Sequence, residues 1–273
     1  MAHAVEREVK PSLEKFVRLF YLVAIVLSSR FYLSAIDWTT ETPSHVLWPV
    51  AWVFSSAQSW VVPSMFVSLA ATSVLVLWKT KYQVVRVLFF VLYFLMIAMQ
   101  YSYHGQSHVY HTSLYVLLIW SVIPTWTQTR ELELANVMQL SYAAVIVPYF
   151  LSALWKIFYF GHDLIVLGAS DSTLDPLGVK LASFYVHYYH YHPLGDWLIN
   201  SAVWGKLVYI MIVLFELSSV AVLLFKRFLP LWGVLAIFFH LGIYLVLGVD
   251  FKEMLAVSLY FSLSPVGRSF LKT

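Results

Sequence analysis

Apolar runs of close to bilayer length recur along this chain, and no other feature limits its fold so strongly. A helix needs about 20 apolar residues to cross the hydrocarbon core, because each residue advances it by only about 1.5 Å. Runs of this kind lie at 16–36, 63–78, 84–101, 108–126, 137–157, 206–225, 228–248 and 253–266, several of them bounded by Trp, Tyr, Lys or Arg, the usual interface anchors. A bilayer offers no water to backbone N–H and C=O groups, so such runs must be helical. The expected fold is therefore all-α: a polytopic transmembrane helical bundle of about eight spans. Composition agrees, since 61% of the 273 residues are hydrophobic and only 11% are charged, a balance foreign to soluble domains.

The expected organisation is a cytoplasmic N-terminal segment at 1–15, one transmembrane domain at 16–266 and a short cytoplasmic tail at 267–273. Glu6, Glu8 and Glu14 mix with Arg7, Lys10, Lys15 and Arg18 before the first run, and no small-residue cleavage site follows it. That run reads as a retained span, not a signal peptide. With both termini cytoplasmic, Lys79, Lys81, Arg86, Arg130, Lys226, Arg227, Arg268 and Lys272 join the inner side, and Lys180, Lys206 and Lys252 fall outside. This is the positive-inside bias, and an odd number of spans would scramble it. A bacterial or archaeal cytoplasmic membrane suits such a chain.

Cysteine is absent, which excludes thiol nucleophiles, thiolate metal sites and disulfides. The formal net charge of +3 is spread over membrane flanks, so nucleic acid is not an expected partner. The lipid bilayer is. Chemistry is left to His, Lys, Tyr, carboxylates or a bound cofactor.

Charges at bilayer depth cost on the order of 2.5–3.5 kcal/mol each on insertion scales, so several at one depth point to a shared cavity. In the expected topology Arg30, His104, His108, His111 and Lys156 fall in the outer half. Glu216 and His240 lie near the middle of their spans. The bundle is thus expected to hold an outer-facing polar cavity. Lys156 is walled by Trp155, Phe158, Tyr159 and Phe160, and partial loss of hydration disfavours its ammonium, making the amine available as a base. The same lysine at a helix end would ordinarily snorkel to the headgroups. His104, His108 and His111 share one face if a helix extends back to His104, or form an ordinary polar interface. Glu216 and Arg30 equally fit a structural ion pair. The His/Tyr-rich run at 184–193 reads as an aromatic belt or a metal site.

With these residues placed, the sequence resembles the horizontally transferred transmembrane (HTTM) family, relatives of the vitamin K-dependent γ-glutamyl carboxylases. Three stretches carry the likeness, over about residues 16–265: His111-Thr112-Ser113-Leu114-Tyr115; Tyr149-Phe150-Leu151-Ser152-Ala153-Leu154-Trp155-Lys156; and Glu216-Leu217-Ser218 through Phe239-His240-Leu241 to Met254-Leu255-Ala256. The resemblance implies Lys156 as the base that deprotonates a reduced isoprenoid quinone of the vitamin K type. Oxygen then converts the quinone to a strong base that removes a glutamyl γ-proton, and carbon dioxide adds. It implies His111 as an assisting catalytic residue, with His240, Arg30, Glu216 and His108 around the cofactor and no metal. A peptide or protein substrate would enter at the outer face. The family's paired lysines stand here as Trp155-Lys156, and the large extramembranous part of the animal carboxylases has no counterpart after the last span.

Two other classes fit the residues. His104, His108, His111, His187, His190, His192 and His240 are a broken inventory of the histidine boxes of membrane oxygenases and desaturases. A non-enzymatic accessory subunit, or a lipid or quinone binder, would account for the aromatic richness.

Overall fold

The computed structural model describes residues 14–27, 29, 46–52, 60–104, 110–124, 131–166, 193–199, 201–247 and 252–264. Among them every regular element is helical, so the all-α expectation holds. The chain divides into two compact units, Met1–Ser141 with Ser264–Thr273, and Tyr142–Leu263. The division falls within one long helix, Glu131–Val166.

The first unit contains α1 (14–27), a single 3-10 turn at Trp48–Val50, α2 (Val61–Lys79), α3 (Gln83–His104), α4 (His111–Val122) and the start of α5 (Glu131–Val166). Its core is aromatic. Phe20 of α1 meets the Trp120 ring edge-on at 4.7 Å, and Tyr21 meets Phe89 of α3 at 5.3 Å. These offset geometries suit the quadrupoles of the rings. The buried Trp120 indole donates to Ser141 Oγ at 2.7 Å, which satisfies its polar edge.

Arg86, counted among the cytoplasmic flank charges, is fully buried. Its guanidinium donates to the carbonyls of Trp120 (2.8 Å), Thr80 (2.6 Å), Pro124 (3.1 Å) and Ile123. The last carbonyls of a helix have no partner within it and carry partial negative charge. One rigid fork of donors from the first turn of α3 thus closes the C-terminal ends of both α2 and α4.

The second unit holds the rest of α5, then α6 (Pro193–Ile199), α7 (Ala202–Leu224), a 3-10 turn at Lys226–Phe228, α8 (Leu229–Leu247) and α9 (Lys252–Leu263). α8 packs closely on α9: a Cβ added at Gly233 would lie 2.4 Å from Ser262 Cβ. Small residues let two backbones approach where lipid supplies no hydrophobic drive for association. Tyr142 donates to the Phe261 carbonyl at 2.7 Å, tying α5 to α9. Serines and threonines inside these apolar helices return their hydroxyls to the preceding turn, as in Ser73 to Leu69 and Ser219 to Glu216.

Among the described residues five helices are long and apolar enough to cross a membrane: Val61–Lys79, Gln83–Ser102, Asn136–Phe158, Val203–Leu224 and Lys226–Val246. Large apolar side chains cover their outward faces, among them Val67, Met211 and Phe238. Exposed apolar surface on this scale needs lipid, and the protein is an integral membrane protein. The spans expected at 108–126 and 253–266 correspond to α4 and α9, each of 12 residues and shorter than a crossing. The first expected span, 16–36, is described only over 14–27 and at 29.

Candidate functional site

The second unit gathers ionisable and hydroxyl side chains from four helices. Tyr149, Ser152 and Lys156 recur on α5 at i, i+3 and i+7, which aligns them along one face. Lys156 is not at the end of its helix, since α5 continues to Val166. Its side chain turns inward instead of snorkelling. Nζ lies 2.6 Å from Oε1 and 2.7 Å from Oε2 of Glu216 on α7, and 2.6 Å from Ser152 Oγ. The Ser152 hydroxyl in turn donates to Glu216 Oε1 at 3.1 Å. An ammonium has three donors, and all three are engaged. The side chains of Lys156 and Glu216 are only 17% and 5% exposed. Tyr209 of α7 donates to the Lys156 carbonyl at 3.2 Å, adding a second tie between the same helices.

One turn of α5 before Ser152, Tyr149 Oη meets His240 Nε2 of α8 at 2.7 Å and Ser258 Oγ of α9 at 2.9 Å. All three residues are buried. Aromatic rings pack this cluster. Tyr149 stands edge-on to Trp232 at 4.9 Å, while Phe215 stacks on Trp232 at 5.6 Å and on Phe239 at 4.6 Å. The Trp232 indole N–H is buried and has no acceptor among the described residues.

Of the residues singled out in the sequence, Lys156, Glu216 and His240 therefore all belong to the second unit. Glu216 is the partner of Lys156, a pairing not anticipated; Arg30, with which Glu216 equally fitted a structural ion pair, lies outside the described residues. His111 belongs to the first unit, half-buried at the start of α4 with the rings of Tyr101 (5.9 Å) and Tyr115 (6.1 Å) beside it. His104 is the last described residue of α3 and His111 the first of α4, and the residues between them that would decide a shared face for His104, His108 and His111 lie outside the described residues, apart from Tyr110. The His108 position and the run at 184–192 lie outside the described residues, as does Asp250. Among the described residues no three His, Asp or Glu converge as a metal site would require.

Tyr149, Ser152 and Ser258 had no individual role in the sequence analysis. Tyr149 and Ser152 were legible only as members of the lysine stretch, and Ser258 carried no signal at all. What the fold and the cluster define is a helical integral membrane protein with a buried Lys–Glu pair and a Tyr–His–Ser chain. No family model, no curated protein and no solved structure matches it.

Proposed function

We propose that this chain is a carboxylase-like membrane enzyme in which the Lys156–Glu216 pair takes a proton from a reduced isoprenoid quinone within the lipid layer. The observation that carries this is an amine held by both oxygens of one carboxylate and by one hydroxyl, among apolar helices. Amine and carboxylate lie in direct hydrogen-bond contact, so a proton reaching the pair can pass between them. Ser152, bonded to both groups, keeps them in register during the transfer.

The residues suit a quinone. Phe215 and Phe239 supply flat apolar surface, and the Trp232 N–H is a buried donor suited to a quinone oxygen. A reduced quinone, when bound, supplies an acidic hydroxyl and, with oxygen, a strong base for carbanion chemistry. About eight spans, both termini in the cytoplasm, a cavity opening outward and a peptide or small acceptor of carbon dioxide complete this reading.

The test compares wild type, Lys156→Ala and Glu216→Gln in lipid nanodiscs, following reduced phylloquinone by quenching of tryptophan fluorescence. Wild type should bind, and each variant should lose at least about tenfold in affinity, equivalent to about 1.4 kcal/mol. Carbon dioxide incorporation into glutamyl peptides is then assayed with and without Lys156. Equal binding by all three proteins refutes the proposal.

A fully engaged ammonium also suits a purely structural clamp between α5 and α7, as in an accessory subunit. The double variant Lys156→Met/Glu216→Leu separates the two. A clamp is replaceable by apolar packing with every property intact, whereas a proton-accepting pair is not.

A further inference from the structure

We propose that Trp197 and Trp204 form an anchor at one headgroup boundary of the bilayer, which sets the depth of α7 and, through Glu216, keeps the Lys156 amine near the middle of the hydrocarbon layer. The anchor stands whether or not a quinone is the ligand of that pair.

The short helix α6 builds it. Leu198 is buried with Tyr209 of α7, and Val208, Val213 and Val246 pack around them, while Leu194 and Trp197 are exposed. The chain then turns at once into α7: the Ser201 N–H donates to the Leu198 carbonyl at 3.2 Å and the Gly205 N–H to the Ser201 carbonyl at 2.9 Å. This turn brings Trp204 beside Trp197, ring centroids 5.9 Å apart and both side chains about half exposed. An indole has an apolar body and a polar N–H, so it is most stable where hydrocarbon gives way to headgroups. From the pair an exposed apolar stripe of Val203, Leu207, Met211 and Leu214 follows α7 at helical spacing. It continues the lipid-facing surface of the span, and lipid is the occupant this surface fits.

At its other end α7 meets the basic turn Lys226–Phe228, where Arg227 lies 4.8 Å from the Phe228 ring. Basic and aromatic residues together mark the opposite boundary. At about 1.5 Å per residue, Glu216 stands about 18 Å from Trp204 and about 15 Å from Lys226. Together these lengths match the roughly 30 Å hydrocarbon core, which leaves Glu216 near its middle.

The sequence of α5 alone would not put the amine there. Its apolar stretch is Asn136–Phe158, so Lys156 stands close to one end, where a lysine ordinarily snorkels to the boundary. Its side chain instead leans back toward the N-terminus of α5, as helical side chains do, and bonds Ser152 one turn earlier together with Glu216. The depth of the pair is thus that of Glu216, which α7 and its anchor determine.

The experiment uses the full chain in phosphatidylcholine nanodiscs. Tryptophan fluorescence of wild type minus that of Trp197→Phe/Trp204→Phe isolates the pair. Lipids brominated near the headgroup should quench this difference more strongly than lipids brominated near the chain ends. Stronger quenching from the chain ends overturns the anchor, as does no quenching from either lipid, the result expected if a second copy or another protein covers the pair. Because the chain has no cysteine, a nitroxide at Leu214→Cys, exposed and close to Glu216 in depth, reports the centre of α7. Its ratio of oxygen to nickel-chelate accessibility should exceed that of a label at Leu224→Cys; a ratio no greater overturns the mid-bilayer placement. The Leu214 ratio should fall by at least about twofold in Trp197→Ala/Trp204→Ala, as the helix slides to a new match with the bilayer. Trp197→Tyr/Trp204→Tyr should restore it, because tyrosine also seats at the boundary. A ratio unchanged by the alanine pair, or lost equally with tyrosine, overturns the role of the two tryptophans in setting depth.

Discussion

The amine of Lys156 and the carboxylate of Glu216, 60 residues apart in sequence, meet at 2.6 and 2.7 Å, with the Ser152 hydroxyl bonded to both. A buried pair of this kind contributes little net stability over apolar packing, yet each half depends strongly on the other. Its members cannot be lost singly without consequence.

Lys156→Met or Glu216→Leu alone should therefore destabilise the protein by about 3–5 kcal/mol, because an uncompensated charge stays at depth. Lys156→Met/Glu216→Leu should recover most of that loss. Unfolding midpoints in one detergent, measured across the cycle, give the coupling. Additive losses would show that the two groups do not act as a pair.

Gly233→Ala should cost about 1–3 kcal/mol through overpacking, since the new methyl would meet Ser262 Cβ at 2.4 Å. Ser262→Gly should relieve part of it. Gly242 has open space around the same position, so Gly242→Ala should be neutral or stabilising by up to about 1 kcal/mol through helix propensity. Thermal midpoints of the three variants check this, and equal effects at the two glycines would contradict the close approach of α8 to α9.

Arg86→Lys should destabilise by at least about 2 kcal/mol, although it keeps the charge. A lysine amine cannot reproduce a fork that serves Trp120, Thr80, Ile123 and Pro124 together, and buried carbonyls are left unbonded. Hydrogen exchange should report the loss at the C-terminal turns of α2 and α4. An Arg86→Lys protein as stable as wild type would mean that the carbonyls find other donors.

Tyr142→Phe removes one hydrogen bond, to the Phe261 carbonyl, and leaves the edge-on ring contact at 5.0 Å in place. The expected loss is about 1 kcal/mol. The pair Tyr142→Phe and Tyr142→Ala, compared by unfolding, separates the hydroxyl from the ring, which should account for the larger share.

Helices and membrane class were legible because hydropathy is a local property. The stretch 137–157 announces an apolar helix whatever surrounds it, and Asn136–Phe158 is where the structure places it. Lys156 stood out for the same reason, as a lone charge in an apolar run. The burial of Arg86 was not legible, because a basic residue beside Lys79 and Lys81 looks like an exposed flank charge. Only the carbonyls of α4, more than 30 residues later, explain its burial.

By itself the sequence determined that this chain is helical, that it resides in lipid and that its chemistry excludes thiols, because these depend on residue type and short-range pattern. Tertiary structure alone decided that Lys156 meets Glu216, that Tyr149 joins His240 to Ser258, and that Arg86 closes two helices. Such pairings depend on the rotation and depth of each helix against its neighbours. Those are set by small contacts such as Gly233 on Ser262, which no periodicity along a single segment records.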